Sequence, residues 1–242
     1  MSALTFAERP PAGGEGSGLL VLHHGRGTDE RDLLGLGEAL DPQRRLHLIT
    51  PRAPLRLPGL PGYHWYAVPR VGYPDPATFH TSYTSLGELH DELWQRTGLG
   101  PERTVLGGFS MGAVMSYALA LGADRPPPAG VMAFSGFIPV VEGWRAHPGD
   151  RTTLRVFTAH GLDDPVIAVD FARRARAQLT AASLRVDYHE SPGGHEIIPA
   201  HIPPARAWLA ELIGAHRLPS RNSADRAPSG EKVDDRPREA GI

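Results

Sequence analysis

The sequence contains no cysteine among its 242 residues. Disulfides, thiolate metal sites and a cysteine nucleophile are therefore excluded, and a reducing compartment is favoured. No segment approaches the ~18–20 consecutive apolar residues of a membrane-spanning helix. The N-terminal residues also lack the basic start and apolar run of a secretory signal. These absences predict a cytoplasmic protein without a membrane span.

An excess of charge of one sign is also missing. The 25 basic and 27 acidic residues leave a formal net charge of −2 at pH 7, with an isoelectric point near 6.6. A nucleic-acid partner is therefore not predicted, because it would require a strongly basic surface. The sequence leaves the oligomeric state open between a monomer and a homodimer.

Length and composition predict one folded domain over residues 1–217. Hydrophobic residues make up 40% of the sequence and charged residues 21%, as in ordinary globular proteins. From residue 218 to 242 the chain is polar and has almost no apolar side chain that could join a core. We predict that residues 218–242 form a disordered tail.

Short apolar segments alternate with helical patterns between about residues 18 and 215. The predicted strands are Leu19–His23, Leu46–Thr50, Thr104–Phe109, Gly130–Ser135, Leu154–Ala159 and Leu184–Glu190, with Ala3–Ala7 as an antiparallel edge strand. The predicted helices are Asp29–Leu40, Ser82–Gln95, Met111–Leu121, Pro165–Leu179 and Pro204–Ile213. Apolar strands that alternate with amphipathic helices predict an α/β fold, with a mostly parallel, doubly wound sheet and helices on both faces.

One segment, Pro51–Pro76, departs from this alternation and is rich in proline, glycine and aromatic residues. We predict a long, ordered, irregular loop there, since loops of this length inside a domain are usually functional. The candidate substrate-binding residues are Tyr63, Trp65 and Tyr66 in this loop, and Phe137 and Ile138 in a later one. The same side chains would also suit a structural role, in which they pack the loops against the sheet, and the sequence leaves both interpretations open.

The segment Gly108-Phe109-Ser110-Met111-Gly112 joins a predicted strand to a predicted helix. This Gly-x-Ser-x-Gly pattern is typical of a sharp turn that presents a nucleophilic serine. The glycines avoid clashes in the turn, and the start of the following helix favours the negative charge that develops during acyl transfer. Ser110 is therefore the candidate nucleophile, the alternative being a plain glycine-rich turn with a capping serine.

A serine hydroxyl is a weak nucleophile until a neighbouring base removes its proton. In this arrangement an acidic residue and then a histidine follow the serine along the chain. Asp164 and His195 each come shortly after a predicted strand, so we expect them at the same sheet edge as Ser110. His189 is a weaker candidate base because it lies within its strand. Asp163 is an alternative acid, but Asp164 is preferred because it would cap the helix predicted at the next residue.

The first long strand ends in His23-His24-Gly25-Arg26-Gly27. Glycines directly after a strand let the backbone approach a ligand closely. The backbone N–H groups of Arg26 and Met111 are therefore candidates for an oxyanion hole. A turn leading into a helix cap is a compatible structural interpretation. The two adjacent histidines do not predict a metal site, because neighbouring side chains on an extended chain point apart.

Four segments taken together, HGRGTDE, GFSMG, HGLDDPV and GGHEI, resemble the phospholipase/carboxylesterase family of α/β hydrolases, which includes acyl-protein thioesterases. The resemblance covers about residues 18 to 215. It implies an α/β-hydrolase fold without a lid domain, a triad of Ser110, Asp164 and His195, and oxyanion N–H groups from Arg26 and Met111. It also implies hydrolysis of ester or thioester bonds without any cofactor or metal.

The chain departs from the thioesterase branch in one place, since Met111 stands where that branch usually has glutamine. HGRGTDE also looks more like the corresponding motif of bacterial esterases. We therefore predict a serine hydrolase that cleaves small-molecule carboxylic esters of small or medium acyl groups through an acyl-enzyme. An acyl-thioesterase or lysophospholipase, or an acyltransferase on the same fold, is the alternative.

Overall fold

The computed structural model describes residues 4–14, 16–57, 59 and 61–215. The strands are β1 Phe6–Arg9, β2 Leu19–His23, β3 His47–Pro51, β4 Leu55–Arg56, β5 Tyr63–His64, β6 Thr104–Phe109, β7 Gly130–Phe134, β8 Arg155–Gly161 and β9 Arg185–Ser191. The helices are α1 Leu34–Leu40, α2 Pro76–Thr97, α3 Met111–Leu121, α4 Asp170–Ala181 and α5 Ile202–Ala215. The predicted tail, residues 218–242, lies outside the described residues.

Seven of these strands form one sheet in the order β1-β3-β2-β6-β7-β8-β9. All neighbours run parallel except β1 and β3, which are antiparallel. The predicted mostly parallel sheet is therefore confirmed. Because the chain moves outward from β2 to β3 and then returns to β6 on the other side, the winding direction reverses between β2 and β6. Open α/β sheets bind ligands at the carboxyl ends of strands beside such a reversal.

Alternating side chains of the central strands supply the core on both faces of the sheet. Leu19 and Val21 of β2 pack with the apolar faces of α2 and α3. Leu20 and Leu22 point the other way and pack with α1 and α5. Helix α4 lies beside α3 against β7 and β8. Helices therefore cover both faces of the sheet, which confirms the predicted doubly wound architecture. The central strands are apolar throughout because both of their faces are covered.

The structure corrects the start of two predicted elements in the N-terminal part of the chain. The edge strand predicted at Ala3–Ala7 is Phe6–Arg9. The helix predicted at Asp29–Leu40 begins only at Leu34. Asp29 instead accepts a hydrogen bond from the N–H of Arg31 (2.9 Å), which closes a turn that precedes the helix.

Helix α2 begins six residues earlier than predicted, at Pro76 rather than Ser82. Asp75 caps it by accepting a hydrogen bond from the N–H of Thr78 (2.9 Å), and proline suits the first helical position. The predicted start is late because the composition of Pro51–Pro76 places this proline in the irregular loop. That loop also contains the small β4–β5 hairpin, which lies outside the main sheet.

The helix predicted at Pro165–Leu179 is α4, which begins at Asp170. Asp164 is therefore not its cap. One oxygen of the Asp164 carboxylate accepts hydrogen bonds from the N–H groups of Val166 and Ile167, both at 2.8 Å. These bonds hold the chain in a turn, so the helix begins further along the sequence. The other predicted strands and helices differ from the observed bounds by no more than two residues.

Candidate active site

Ser110 lies between β6 and α3 with an unusual backbone conformation. Its φ of 54° and ψ of −119° fall outside the regions that non-glycine residues normally adopt. Its N–H donates to the carbonyl of Phe134 on the neighbouring strand β7 (2.9 Å), and the residue is only 8% exposed. Strain of this kind persists only where the surrounding structure enforces it, and it is common at functional sites.

Two glycines make the turn around Ser110 sterically possible. A Cβ atom on Gly108 would lie 2.6 Å from the carbonyl oxygen of His23 on β2, and one on Gly112 would overlap that same oxygen. Because the obstruction is backbone and not a flexible side chain, the strand and the helix can approach only if both positions are glycine. The pattern read from the sequence therefore has a direct steric cause.

Ser110, His195 and Asp164 form a continuous chain of hydrogen-bonded side chains. The distance from Ser110 Oγ to His195 Nε2 is 2.8 Å, and the distance from His195 Nδ1 to Asp164 Oδ2 is 2.7 Å. The Asp164 side chain is fully buried, whereas the His195 side chain is 17% exposed. The ring of Phe109 lies against the imidazole, with centroids 5.0 Å apart. The structure thus brings together three residues that are distant in sequence, at the carboxyl ends of β6, β8 and β9.

The surroundings of Asp164 keep its carboxylate charged. Burial alone would raise the pKa of Asp164, but hydrogen bonds from His195 and from the N–H groups of Ile167 and Val166 outweigh burial and lower the pKa below its ordinary value. A carboxylate fixed in this way can hold the His195 imidazole with its proton on Nδ1. Nε2 is then free to accept the proton of Ser110.

A second histidine, His160, also contacts Asp164. Its Nε2 lies 2.8 Å from the carbonyl oxygen of Ile167 and 3.3 Å from Asp164 Oδ2. Burial lowers the pKa of His160, so the imidazole is neutral and donates from Nε2 to the Ile167 carbonyl. His160 thereby holds the turn that carries Asp164. His160 is the first residue of the HGLDDPV segment, but the local sequence does not reveal this role, because its contacts depend on the turn at residues 164–167.

The weaker candidates from the sequence, Asp163 and His189, lie outside the hydrogen-bonded group of Ser110, His195 and Asp164. Asp163 is exposed, and its N–H donates to the carbonyl of Gly193 (3.0 Å). The imidazole of His189 lies 2.8 Å from the carboxylate of Asp187 on the same strand and stacks on Phe157, with ring centroids 5.0 Å apart. Neither residue contacts Ser110, so the geometry favours Asp164 and His195.

The loop after β2 passes beside Ser110 and is held by His24. The N–H of Ala53 donates to His24 Nε2 (3.0 Å), so the ring carries its proton on Nδ1 and donates to the carbonyl of Gly25 (2.7 Å). Met111 is the first residue of α3, and the first N–H groups of a helix have no partner within it. Among the described residues, no hydrogen bond engages the backbone N–H of Arg26 or Met111. Both groups are available to a ligand.

A cavity of about 300 Å³ opens beside Ser110 and His195. Apolar side chains dominate its lining: Tyr66, Val68, Val71, Pro74, Phe137 and Ile167. Ligand sites commonly measure about 300–1,000 Å³ and are mostly apolar with a few polar groups. This cavity therefore suits a small ligand whose reacting atom reaches the serine hydroxyl.

Two of the five candidate substrate-binding residues, Tyr66 and Phe137, line this cavity. The other three do not. Trp65 is fully buried; its indole N–H donates to the carbonyl of His24 (2.9 Å), and its backbone N–H donates to the sulfur of Met111 (3.2 Å). Trp65 therefore supports the loop and the turn from beneath.

Tyr63 and Ile138 also lie outside the cavity. Tyr63 exchanges backbone hydrogen bonds with the loop after β2, through Gly27 (2.8 Å) and Thr28 (2.9 Å). Ile138 lines a separate surface groove and packs against the apolar cluster beneath α3 and α4. An aromatic or aliphatic residue in a loop does not reveal the direction of its side chain, and here the directions are set by contacts distant in sequence.

The described residues contain no group of three or more histidine, aspartate or glutamate side chains that could hold a metal ion. The two adjacent histidines have other partners, since His23 Nδ1 lies 2.8 Å from the hydroxyl of Ser116 and His24 holds its own loop. Within the described part of the chain, no helix is long and apolar enough to cross a membrane.

Comparison with known proteins identifies the family. The model of the phospholipase/carboxylesterase family matches residues 11–213. Acyl-protein thioesterase 1 of Mycosarcoma maydis is 27% identical over 89% of this chain and 100% of the relative. The protein of that name from Debaryomyces hansenii is 28% identical over 63% of this chain and 66% of the relative, slightly less than two thirds of its length.

Among solved structures, esterase PE8 is 32% identical and superposes with a TM-score of 0.73, covering 86% of this chain and 99% of the esterase. The family predicted from the four sequence motifs is therefore confirmed, and so is the α/β-hydrolase fold. The chain belongs to the phospholipase/carboxylesterase family, whose members are hydrolytic esterases and thioesterases.

Proposed function

We propose that this protein hydrolyses carboxylic esters of small or medium acyl groups, with Ser110 as the nucleophile, His195 as the general base and Asp164 as the acid that orients the base. The observation that carries this proposal is the continuous chain of hydrogen bonds from Ser110 Oγ through the imidazole to the buried carboxylate. A serine activated by such a base can attack an ester carbonyl.

The reaction proceeds by two acyl transfers. His195 Nε2 accepts the proton of Ser110 as Oγ attacks the carbonyl carbon, and the backbone N–H groups of Arg26 and Met111 stabilise the resulting oxyanion. The protonated imidazole then donates its proton to the departing alcohol, which leaves an acyl-enzyme. Water attacks the acyl-enzyme with His195 again as base. The carboxylic acid is released, and the free serine is regenerated.

The size of the cavity supports small substrates. Its volume of about 300 Å³ is at the lower end of the range for ligand sites, and its walls are apolar. A short acyl chain can be enclosed there with its carbonyl beside Ser110. The substrate partner in this proposal is a small-molecule ester.

Thioester hydrolysis is the second candidate, because relatives that share 27–28% identity with this chain are named acyl-protein thioesterase 1. Rates with an oxygen ester and a thioester of the same acyl group would separate the two. An acyltransferase would be recognised by the appearance of a new ester when a second alcohol is supplied, since a hydrolase releases mainly the free acid.

Ser110→Ala tests the proposal directly. We expect kcat for p-nitrophenyl butyrate to fall at least about 10³-fold, because the nucleophile is lost while the cavity remains. Labelling by a fluorophosphonate probe should disappear at the same time. Ser85→Ala, in the middle of α2, is the matched control and should keep both the activity and the label. Near-full activity in purified Ser110→Ala would refute the proposed function.

A further inference from the structure

The charged residues that line the cavity beside Ser110 are all basic. Two arginines, Arg26 and Arg70, are among its lining residues, and no aspartate or glutamate is found among the described residues that line it. The carboxylate of Asp164 lies behind His195 and is fully buried. A ligand in this cavity therefore has two arginines and no acidic residue beside an otherwise mainly apolar lining.

Arg70 is held in place by a tight turn. The N–H of Tyr73 donates to the carbonyl of Arg70 (3.0 Å), and Gly72 supplies the left-handed backbone, with a φ of 91°, that the turn requires. The guanidinium carbon lies 3.6 Å from the centre of the Tyr73 ring. Stacking on an aromatic face restricts a guanidinium group without consuming its hydrogen-bond donors.

Arg26 also lines the cavity, from the loop after β2, and it is exposed. It also borders a neighbouring groove that contains Asp32 and Glu196. Within the described residues, however, no carboxylate forms an ion pair with Arg26 or Arg70. Nearby Arg52 behaves differently, because it binds the carboxylate of Glu30 at two points, 2.5 and 2.7 Å.

We infer that the cavity selects esters that carry an anionic group, which Arg26 and Arg70 bind while the apolar part of the substrate fills the remaining space. The inference rests on the proposed ester hydrolysis and names its substrate class. Guanidinium groups present a planar set of donors that fits a carboxylate or a phosphate. A neutral ester would offer neither arginine a charged partner.

A set of p-nitrophenyl esters with one acyl length tests the inference. The anionic ester is the p-nitrophenyl monoester of adipic acid, and the neutral ester is the same compound with its free carboxylate capped as a methyl ester. The cationic ester is p-nitrophenyl 6-(trimethylammonio)hexanoate, and p-nitrophenyl 6-phosphonohexanoate compares phosphonate with carboxylate. All four release the same leaving group, so differences in kcat/KM report recognition of the acyl end.

We expect kcat/KM for the anionic adipate ester to exceed that of its neutral partner about tenfold at low salt, as hydrogen bonds to charged groups allow. The cationic ester should be the poorest of the set. The preference should shrink as salt is raised, because exposed charges are screened over about 10 Å at 0.1 M salt.

Arg70→Gln should reduce the ratio of anionic to neutral kcat/KM several-fold, and Arg70→Glu should invert it. Arg70→Lys keeps the charge and should retain part of the preference. Arg185→Gln is the matched control, because it removes an exposed arginine from the amino end of β9, at the sheet edge remote from Ser110. It should leave the ratio unchanged.

The outcomes separate this inference from the proposed function. If wild-type protein hydrolyses the neutral ester by a Ser110-dependent route but handles the anionic esters equally or worse, the inference is wrong and the proposed function stands. If Ser110→Ala hydrolyses every ester as well as wild type, the proposed function fails. In that case, calorimetric titration with monomethyl adipate still tests the charge selection: binding lost in Arg70→Gln supports it, and no binding to wild type overturns it.

Discussion

Two regions meet at the cavity beside Ser110, and they are built in opposite ways. The reaction centre, which we define as Ser110, Asp164 and His195 with the glycines at 108 and 112, is largely buried and tightly constrained. The outer wall, residues 66–74, is irregular and partly open to solvent. Val68 and Tyr73 in this wall are 40% and 43% exposed, whereas Ser110 is 8% exposed.

This difference indicates that the reaction centre controls the reaction and that the outer wall controls the choice of ester. In the reaction centre each side chain has a defined partner, and the backbone approaches too closely for an added methyl group. Changes there should abolish the reaction or the fold. The outer wall is more exposed and carries Arg70, so changes there should alter which ester binds. Binding determinants on loops over a rigid scaffold are a common arrangement.

The largest effect should follow from Asp164→Asn. The amide oxygen can still accept the N–H groups of Val166 and Ile167, so the turn should persist. The amide nitrogen, however, cannot accept from His195 Nδ1, and the ring would shift its proton to Nε2, where it blocks deprotonation of Ser110. We expect kcat to fall on the order of 10⁴-fold. Steady-state kinetics of the purified variant measure this loss. Asp163→Asn, which changes the exposed neighbouring residue, is the control and should remain active. An active Asp164→Asn would rule out the assigned role.

Gly112→Ala should have the next largest effect, a loss of free energy of unfolding. The added Cβ would overlap the backbone carbonyls of His23 and His24, and overpacking against rigid groups costs about 3 kcal/mol. Urea unfolding should show a lower midpoint, together with loss of activity. Gly35→Ala is the control, because nothing lies within 4 Å of its Cβ position in α1; alanine should stabilise that helix slightly. Equal stability of the two variants would contradict the steric argument.

The contrast between the two regions also explains what the sequence could predict. The Ser110 turn, β6 and α3 have the predicted bounds, because their signals are local: an apolar strand, two glycines at fixed spacing and a run of helix-forming residues. The sheet was predictable for a similar reason, since parallel strands buried on both faces are apolar throughout. The catalytic roles of Ser110, Asp164 and His195 remain predictions until the variants are measured.

The outer wall and the turn before α4 were not predictable in the same way. Pro165 suits the first position of a helix, but the Asp164 side chain uses the next two N–H groups to close a turn instead. Trp65 is a candidate for the cavity lining by its sequence, yet its partners are His24 and Met111, 41 and 46 residues away. Contacts of this range have no signature in the local sequence.

A third, smaller effect concerns acid stability beneath the reaction centre. His90 of α2 lies against His23, with ring centroids 5.9 Å apart. Burial, helped by the charge of Arg125 and opposed by that of Asp91, lowers the pKa of His90 to about 3. The unfolded chain binds a proton at this residue below about pH 6.5, but the folded chain does not until about pH 3. The free energy of unfolding should therefore decrease as the pH is lowered from about 6.5 to about 3. His90 should contribute roughly 1 kcal/mol to this decrease for each pH unit.

Urea unfolding of wild type and His90→Phe between pH 7 and pH 4.5 measures this contribution. The variant should show a shallower decline in the free energy of unfolding, whatever its stability at pH 7, because one titrating group has been removed. His147→Gln changes a histidine whose side chain is 40% exposed and should leave the slope as in wild type. Parallel curves for wild type and His90→Phe would show that His90 does not contribute to acid sensitivity.

The smallest effect should come from the outer wall itself. Val68→Ala removes two methyl groups that line the cavity, and each buried methylene contributes about 0.8 kcal/mol to binding. Because Val68 is partly exposed, we expect about a fivefold loss in kcat/KM for butyrate or hexanoate esters and a smaller loss for acetate, whose chain is too short to reach the wall. Val140→Ala, on the separate groove, should leave the whole series unchanged. A uniform loss across all chain lengths would place Val68 with the reaction centre and remove the division between the two regions.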